Sequence, residues 1–268
     1  MFGERLNYDC NFFVSGQRLS GIESVDIGYT NSATTTKPLG YAHGTTTIGG
    51  APQQTVSLSR YLVSEDPILP VAGGGYTGNV NMSGSIEYGG ISYGFQSGYL
   101  QNYAINCAVG AIPRVNANIV VYDEMRSGYS ASGNVAYPDI HIPSQGSITI
   151  LSDWATTNRV IGFDYSVTCN RKPYYTIGSE SPVSVTLLPP MEFTASVQID
   201  VDEAFMESGY SFLATGKEER VAALIINGRN GTTIWGSAIP NASLVSERLS
   251  ASADGSLTLT QEYAGHSS

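Results

Sequence analysis

The sequence predicts a mainly β protein made of two tandem copies of one β unit, with little helix. Three observations carry that expectation. Side-chain polarity alternates with a period of two along much of the chain, which is the pattern of half-buried strands. Charged residues make up only 13% of the chain, about half the usual share of roughly 25%, while Gly and Tyr are plentiful. One segment is also written twice: "GIESVDIGYTNSATTTKPLG" (residues 21–40) is echoed by "RVIGFDYSVTCNRKPYYTIG" (residues 159–178). The register is constant, with Asp26 falling on Asp164 and Gly40 on Gly178, each 138 positions apart.

The elements follow in chain order. "LNYDCNFFVSG" (residues 6–16) opens the first copy. In the first echo Val25, Ile27 and Tyr29 point one way and Ser24, Asp26, Gly28 and Thr30 the other, because side-chain direction flips at each strand residue. A long segment, residues 31–52, separates this strand from "TVSLSRYL" (residues 55–62). "GFQSGYLQNYAI" (residues 94–105) and "NANIVVY" (residues 116–122) complete the set.

The Gly-, Ser- and Pro-rich stretch at 126–146 reads as the join between copies. The chain therefore divides into a first unit at 1–130, a linker at 131–146 and a second unit at 147–268. "SITILS" (residues 147–152) opens the second copy. In the second echo Phe163, Tyr165, Val167 and Cys169 form the apolar face. "TASVQIDV" (residues 194–201) matches 55–62 at an offset of 139, "GSAIPNASLVSERL" (residues 236–249) matches 94–105, and "SLTLTQEY" (residues 256–263) matches 116–122 with Tyr122 on Tyr263. The best helix candidates are the short or interrupted runs at 202–210 and 216–225.

A formal charge of −10 argues against a protein that grips DNA or RNA, since phosphate contacts come from basic patches. The first residues lack a basic segment followed by an apolar one, and no apolar stretch approaches the roughly 20 residues of a membrane helix. The expectation is a soluble chain made in the cytoplasm, with no membrane partner. Three cysteines, Cys10, Cys107 and Cys169, do not suggest a disulfide framework. Cys107 and Cys169 sit in alternating patterns and read as small buried hydrophobes.

The search for chemistry comes up empty. "GGGYTG" (residues 73–78) satisfies the spacing of a dinucleotide loop, but a strand-like run follows where the helix should open. "GISYG" (residues 90–94) has the spacing of a nucleophile elbow, yet Ile91, Tyr93 and Phe95 alternate and place Ser92 on a strand face. His43, His141 and His266 are not spaced as a metal pair. "DVDE" (residues 200–203) lacks the glycine and distal glutamate of a calcium loop. The expectation is neither an enzyme nor a cofactor or metal protein.

The chain resembles the phage tail-tube proteins. The resemblance rests on "SGIESVDIGYT", "VSLSRYLVSEDPIL", "FQSGYLQNYAINCAVGAIPRVNANIVVYDEM" and "NRVIGFDYSVTCNRKPYYTIGS", which together span most of residues 15–200. It implies two tandem tail-tube-like β-barrel or sandwich units, whose rings close by continued sheet pairing and stack into the conduit for DNA ejection. With two units per chain, three chains would supply the six positions of a ring; six chains stay open as the alternative. The implied partners are further copies of itself, sheath, terminator and baseplate proteins, and genomic DNA passing through without specific binding. The implied location is the virion tail, after synthesis in the host cytoplasm.

Stacking needs a surface between rings. The segments at 31–52 and 170–190 each carry Lys-Pro, Tyr and Gly, and loops of this length are unusual unless functional. Lys37, Tyr41 and His43 in the first, and Lys172, Tyr174 and Tyr175 in the second, are the candidate contacts; Ile68 and Leu69 form a further one. An ordinary hairpin with a solvent-exposed tip is the plainer alternative. Two other functions stay open: a tail-terminator, distal-tail or baseplate-hub protein of the same fold, and a two-domain carbohydrate-binding module using its tyrosines with Trp154 and Trp235.

Overall fold

The computed structural model describes residues 10–30, 33–36, 39, 45–48, 53–68, 81–131, 139–143, 147–152, 159–179, 181–203, 222–227, 231–238, 242–253 and 256–267. Among the described residues the chain is mainly β, with open antiparallel sheets and almost no helix.

In the first half the strands are β1 (Cys10–Val14), β2 (Gln17–Arg18), β3 (Ile22–Thr30), β4 (Ala33–Thr36), β5 (Thr45–Ile48), β6 (Gln53–Tyr61), β7 (Met82–Tyr88), β8 (Ile91–Ala108), β9 (Arg114–Val121) and β10 (Arg126–Ser127). The second half holds β11 (Ile148–Ser152), β12 (Val160–Thr168), β13 (Arg171–Tyr174), β14 (Ser184–Leu187), β15 (Met191–Asp200), β16 (Ala222–Asn227), β17 (Thr233–Ala238), β18 (Ser243–Ala251) and β19 (Leu257–Ser267).

Strand pairing follows the same order in both halves. The first runs β3–β6–β9–β8 and the second β12–β15–β19–β18, every pair antiparallel. The two runs meet edge to edge where β8 pairs with β12. The result is one continuous row, β3–β6–β9–β8–β12–β15–β19–β18. Beside it, β1–β7 pairs with the first part of β8, and β11–β16–β17 forms the matching small sheet.

Register repeats as closely as order. A β-bulge lies between Ile22 and Ser24 on β3, and another between Val160 and Gly162 on β12. A second pair lies between Leu100 and Asn102 on β8, and between Leu244 and Ser246 on β18. A bulge inserts one residue and kinks a strand, so its position marks equivalence independently of side chains. The first pair preserves the offset of 138 between Ile22 and Val160. The second sets an offset of 144, Leu100 on Leu244.

That larger offset corrects the alignment of the last strands. Ile119 lies opposite Leu100 as Tyr263 lies opposite Leu244, so Tyr263 is matched by Ile119 and not by Tyr122. The helix expected at 216–225 is also corrected at its end. Residues 222–225 belong to β16, held between β11 and β17, and β-branched Ile225 and Ile226 suit that central strand. Of the run at 202–210, Asp202 and the helical Glu203 lie within the described residues.

The core lies between the apolar face of the long row and the small sheets. Val56, Leu58, Tyr103, Ile105, Phe163, Tyr165, Phe193 and Val197 from the row form one cluster with Phe12, Met82, Phe95, Ile226 and Trp235. Cys107 and Cys169 are buried free thiols within it. Ile68 belongs to this core, fully buried, with its N–H donated to Asp66 Oδ1 at 3.0 Å. It therefore presents no surface to a neighbour, contrary to its expected role as a contact. Residues 91–94 of "GISYG" lie on β8, just after a two-residue hairpin turn from β7 in which Gly89 (φ 56) and Gly90 (φ 80) supply the positive angles its geometry demands.

Candidate assembly interface

The row has two faces and two ends, and each has a distinct character. One face is apolar and buried. The other carries Asp26, Ser57, Asn118, Asn102, Thr168 and Glu192 as one set of cross-strand neighbours, with Asn106, Asp164, Ser196 and Glu262 as another. It is a polar sheet surface of amides, hydroxyls and carboxylates. Asn106 Nδ2 donates to Asp164 Oδ1, Asn102 Nδ2 donates to Thr168 Oγ1 at 3.3 Å, and Ser166 bonds Thr194 at 2.7 Å. Arg114 is paired with Glu23 at 2.9 Å.

The ends of the row are open. Among the described residues β3 pairs with β6 alone and β18 with β19 alone. An unpaired edge presents a ladder of N–H and C=O groups to any strand of suitable register. Neither edge carries a proline; β18 turns one charge, Glu247, to the apolar side, where its Oε1 accepts from the buried Gln261 Nε2 at 2.7 Å. Exposed apolar side chains gather at the edges: Ile27 and Tyr29 on β3, Val245 and Leu249 on β18.

The joint at the middle of the row shows what covers such side chains. There Tyr103 lies opposite Val167, Ile105 opposite Tyr165 and Cys107 opposite Phe163. Trp235 of β17 closes the apolar side of this joint: its ring meets Tyr165 edge-on at 5.4 Å, and its Nε1–H donates to Tyr103 Oη at 2.8 Å. Tyr103 Oη in turn donates to Asp66 Oδ2 at 2.6 Å. Burial, followed by the Asp66 carboxylate, holds the Tyr103 phenol well above its ordinary pKa, so it serves as a donor at any physiological pH.

The two long segments singled out in the sequence each form a hairpin arm, β4–β5 and β13–β14. Their registers match: Ala33 lies opposite Ile48 as Arg171 lies opposite Leu187. The second arm crosses the central joint onto the first half. Val185 packs with Val120 and Tyr122, and Arg171 Nε donates to the Leu100 carbonyl at 3.3 Å with its guanidinium 5.5 Å from the Tyr99 ring. Desolvation there lowers the Arg171 pKa. Lys172, Tyr174 and Tyr175 are exposed on this arm, with the Lys172 ammonium 5.3 Å from the Tyr174 ring. Lys37, Tyr41, His43 and Leu69 lie outside the described residues.

Sequence reasoning missed Trp235 and Asp66 as members of this joint, and it had no signal for the open edges. Among the described residues no group of three or more His, Cys, Asp or Glu is placed to hold a metal ion. No protein-family model and no curated protein matches the chain.

Proposed function

We propose that this chain is the ring-forming subunit of a phage-type tail tube, a hollow conduit through which DNA passes. One observation carries the reading. Two runs of strands with the same order and the same bulges are joined edge to edge within one chain, while the outer edges β3 and β18, which correspond to the two strands of that joint, β12 and β8, stay open. A repeat joined in this way propagates by repetition of the same joint, and closed rings are the usual outcome of head-to-tail pairing whose rotation permits it. Three chains then give six equivalent halves around one axis.

The polar face supports a lining role. A surface of amides and hydroxyls, with Asp26, Asp164, Glu192, Asp200 and Glu262 against Arg114 and Arg248, offers phosphate little to grip. Acidic walls repel DNA over a Debye length of about 10 Å. The exposed arm bearing Lys172, Tyr174 and Tyr175 is the surface offered to the next ring.

Electron microscopy of the purified protein tests the reading. Stacked hollow rings with six similar lobes and three-fold symmetry are expected. Single rings that never stack would shift it to a terminator or hub of the same fold. A protein that forms no ring at any concentration would overturn it.

A further inference from the structure

We infer that successive copies join by pairing β18 of one chain antiparallel to β3 of the next, with Ser246 opposite Thr30, Arg248 opposite Gly28 and Ser250 opposite Asp26. The first-half arm β4–β5 reaches across that joint. The inference rests on the ring reading above and adds to it the edge, the register and the arm.

The central joint is the template. Its register places Asn102 on Thr168, Ala104 on Ser166 and Asn106 on Asp164. The bulges map β12 onto β3 through Val160 and Ile22, and β8 onto β18 through Leu100 and Leu244. Carrying each pair through that mapping gives the stated register with nothing adjusted. On the apolar side it brings Leu249 onto Ile27 of the next copy, where the central joint has Ile105 on Tyr165.

Burial agrees with the transfer. Ile105, Tyr165 and Trp235 are 1%, 3% and 1% exposed, whereas their equivalents Leu249, Ile27 and Ile91 are 37%, 37% and 55% exposed. Tyr93, equivalent to Ser237 beside Tyr165, is exposed as well. Leu249 and Ile27 stand on the two open ends of the row, which the proposed joint brings together between copies. Charge agrees too. Arg248 and Asp26 fall on the same face as diagonal neighbours across the joint, within reach of a cross-strand pair.

Two hydrogen bonds set the phase of the ladder. Cys169 N–H donates to the Gln101 carbonyl at 2.8 Å, and Val109 N–H to the Ile161 carbonyl at 2.9 Å. Pairs alternate between bonded and non-bonded along an antiparallel ladder, so Asn106–Asp164 is a non-bonded pair. Its equivalent, Ser250–Asp26, therefore has the closer Cα spacing of about 4.5 Å, inside the disulfide range of roughly 4.4–6.8 Å. The arm follows by the same mapping. Where β13–β14 sits over Leu100, Val120 and Tyr122, the equivalent positions for β4–β5 are Leu244, Ala264 and His266 of the preceding copy.

The test is a double variant, Asp26→Cys with Ser250→Cys, oxidised mildly and run on a non-reducing gel. Both positions are exposed, and circular dichroism with the second pair Thr30→Cys and Ser246→Cys guards against a folding defect. Loss of the monomer band into a covalent trimer is expected, with each single variant unlinked. The slipped pair Gly28→Cys with Ser250→Cys is expected to stay monomeric. Preferential linkage of the slipped pair overturns the register, and a dimer from Asp26→Cys alone overturns the β18–β3 joint. Rings seen by microscopy without linkage of either matched pair overturn the inference and leave the ring reading standing. Neither rings nor linkage overturns both.

Discussion

Replacing Tyr103 by Phe removes one oxygen from the centre of the molecule, and the cost can be worked from its partners. Tyr103 is fully buried, donates to Asp66 Oδ2 at 2.6 Å and accepts from Trp235 Nε1 at 2.8 Å. The first bond goes to a carboxylate, and such bonds contribute about 1.5–3 kcal/mol. Losing the second leaves the buried indole N–H with no acceptor, at about 1–3 kcal/mol. The ring itself is unchanged, so no cavity term adds. The sum is about 2.5–6 kcal/mol, and at roughly 2–4 °C per kcal/mol for a chain of this size the thermal midpoint should fall by about 10 °C. Urea unfolding followed by tryptophan fluorescence measures it, with Tyr29→Phe, exposed on the open edge, as the control expected to change nothing. A loss below about 1 kcal/mol for Tyr103→Phe would refute the reasoning, since it would mean that water or another side chain substitutes for the phenol.

A Cβ on Gly98 would stand 2.5 Å from Phe95 Cε2 and 2.8 Å from Ile119 Cγ2, both in the core, so Gly98→Ala should cost about 1–3 kcal/mol by overpacking; an unchanged urea midpoint would count against this packing. Ile27→Lys and Leu249→Lys alter exposed edge positions and should leave monomer stability within about 0.5 kcal/mol while abolishing self-association in sedimentation; persistent oligomers would remove these residues from the joint. Burial, then the Asp164 carboxylate, push the Cys107 thiol from 9.0 to about 11. Folding favours its protonated form, so that stabilisation is whole below about pH 9 and is lost as pH rises towards 11. Folded protein should resist iodoacetamide at Cys107 at pH 8.5 and react once unfolded in urea, and prompt alkylation of the folded form would contradict the burial.

Much of the row was legible because its strands are amphipathic. Val25, Ile27 and Tyr29, and equally Phe163, Tyr165 and Val167, alternate with polar residues, and the echo between them holds its register through the bulge. The later strands resisted because their equivalence is carried by the backbone. Tyr103 is matched by Glu247 and Ile119 by Tyr263, pairs that share no side-chain chemistry, and only the bulge and ladder positions reveal the offset of 144. Residues 222–225 looked helical because short apolar runs do not declare their period. The Asp66–Tyr103–Trp235 chain was out of reach for a different reason. Its members are 37 and 132 positions apart, and no local pattern anticipates a contact at that range. Of the candidate contacts, Ile68 failed because an apolar residue between prolines reads equally well as surface or as core.

The length of β8 has a mechanical consequence. Its 18 residues, at about 3.3 Å each, make a single backbone of roughly 60 Å. One part is bordered by β7 and β10 and the other by β9 and β12. Tension applied along this strand acts on its flanking ladders in shear, so their hydrogen bonds resist together. Tension across it would open them one at a time, as in a zipper. The chain is thus stiff in one direction and peelable in another, and a pull directed along β8 meets the stronger axis.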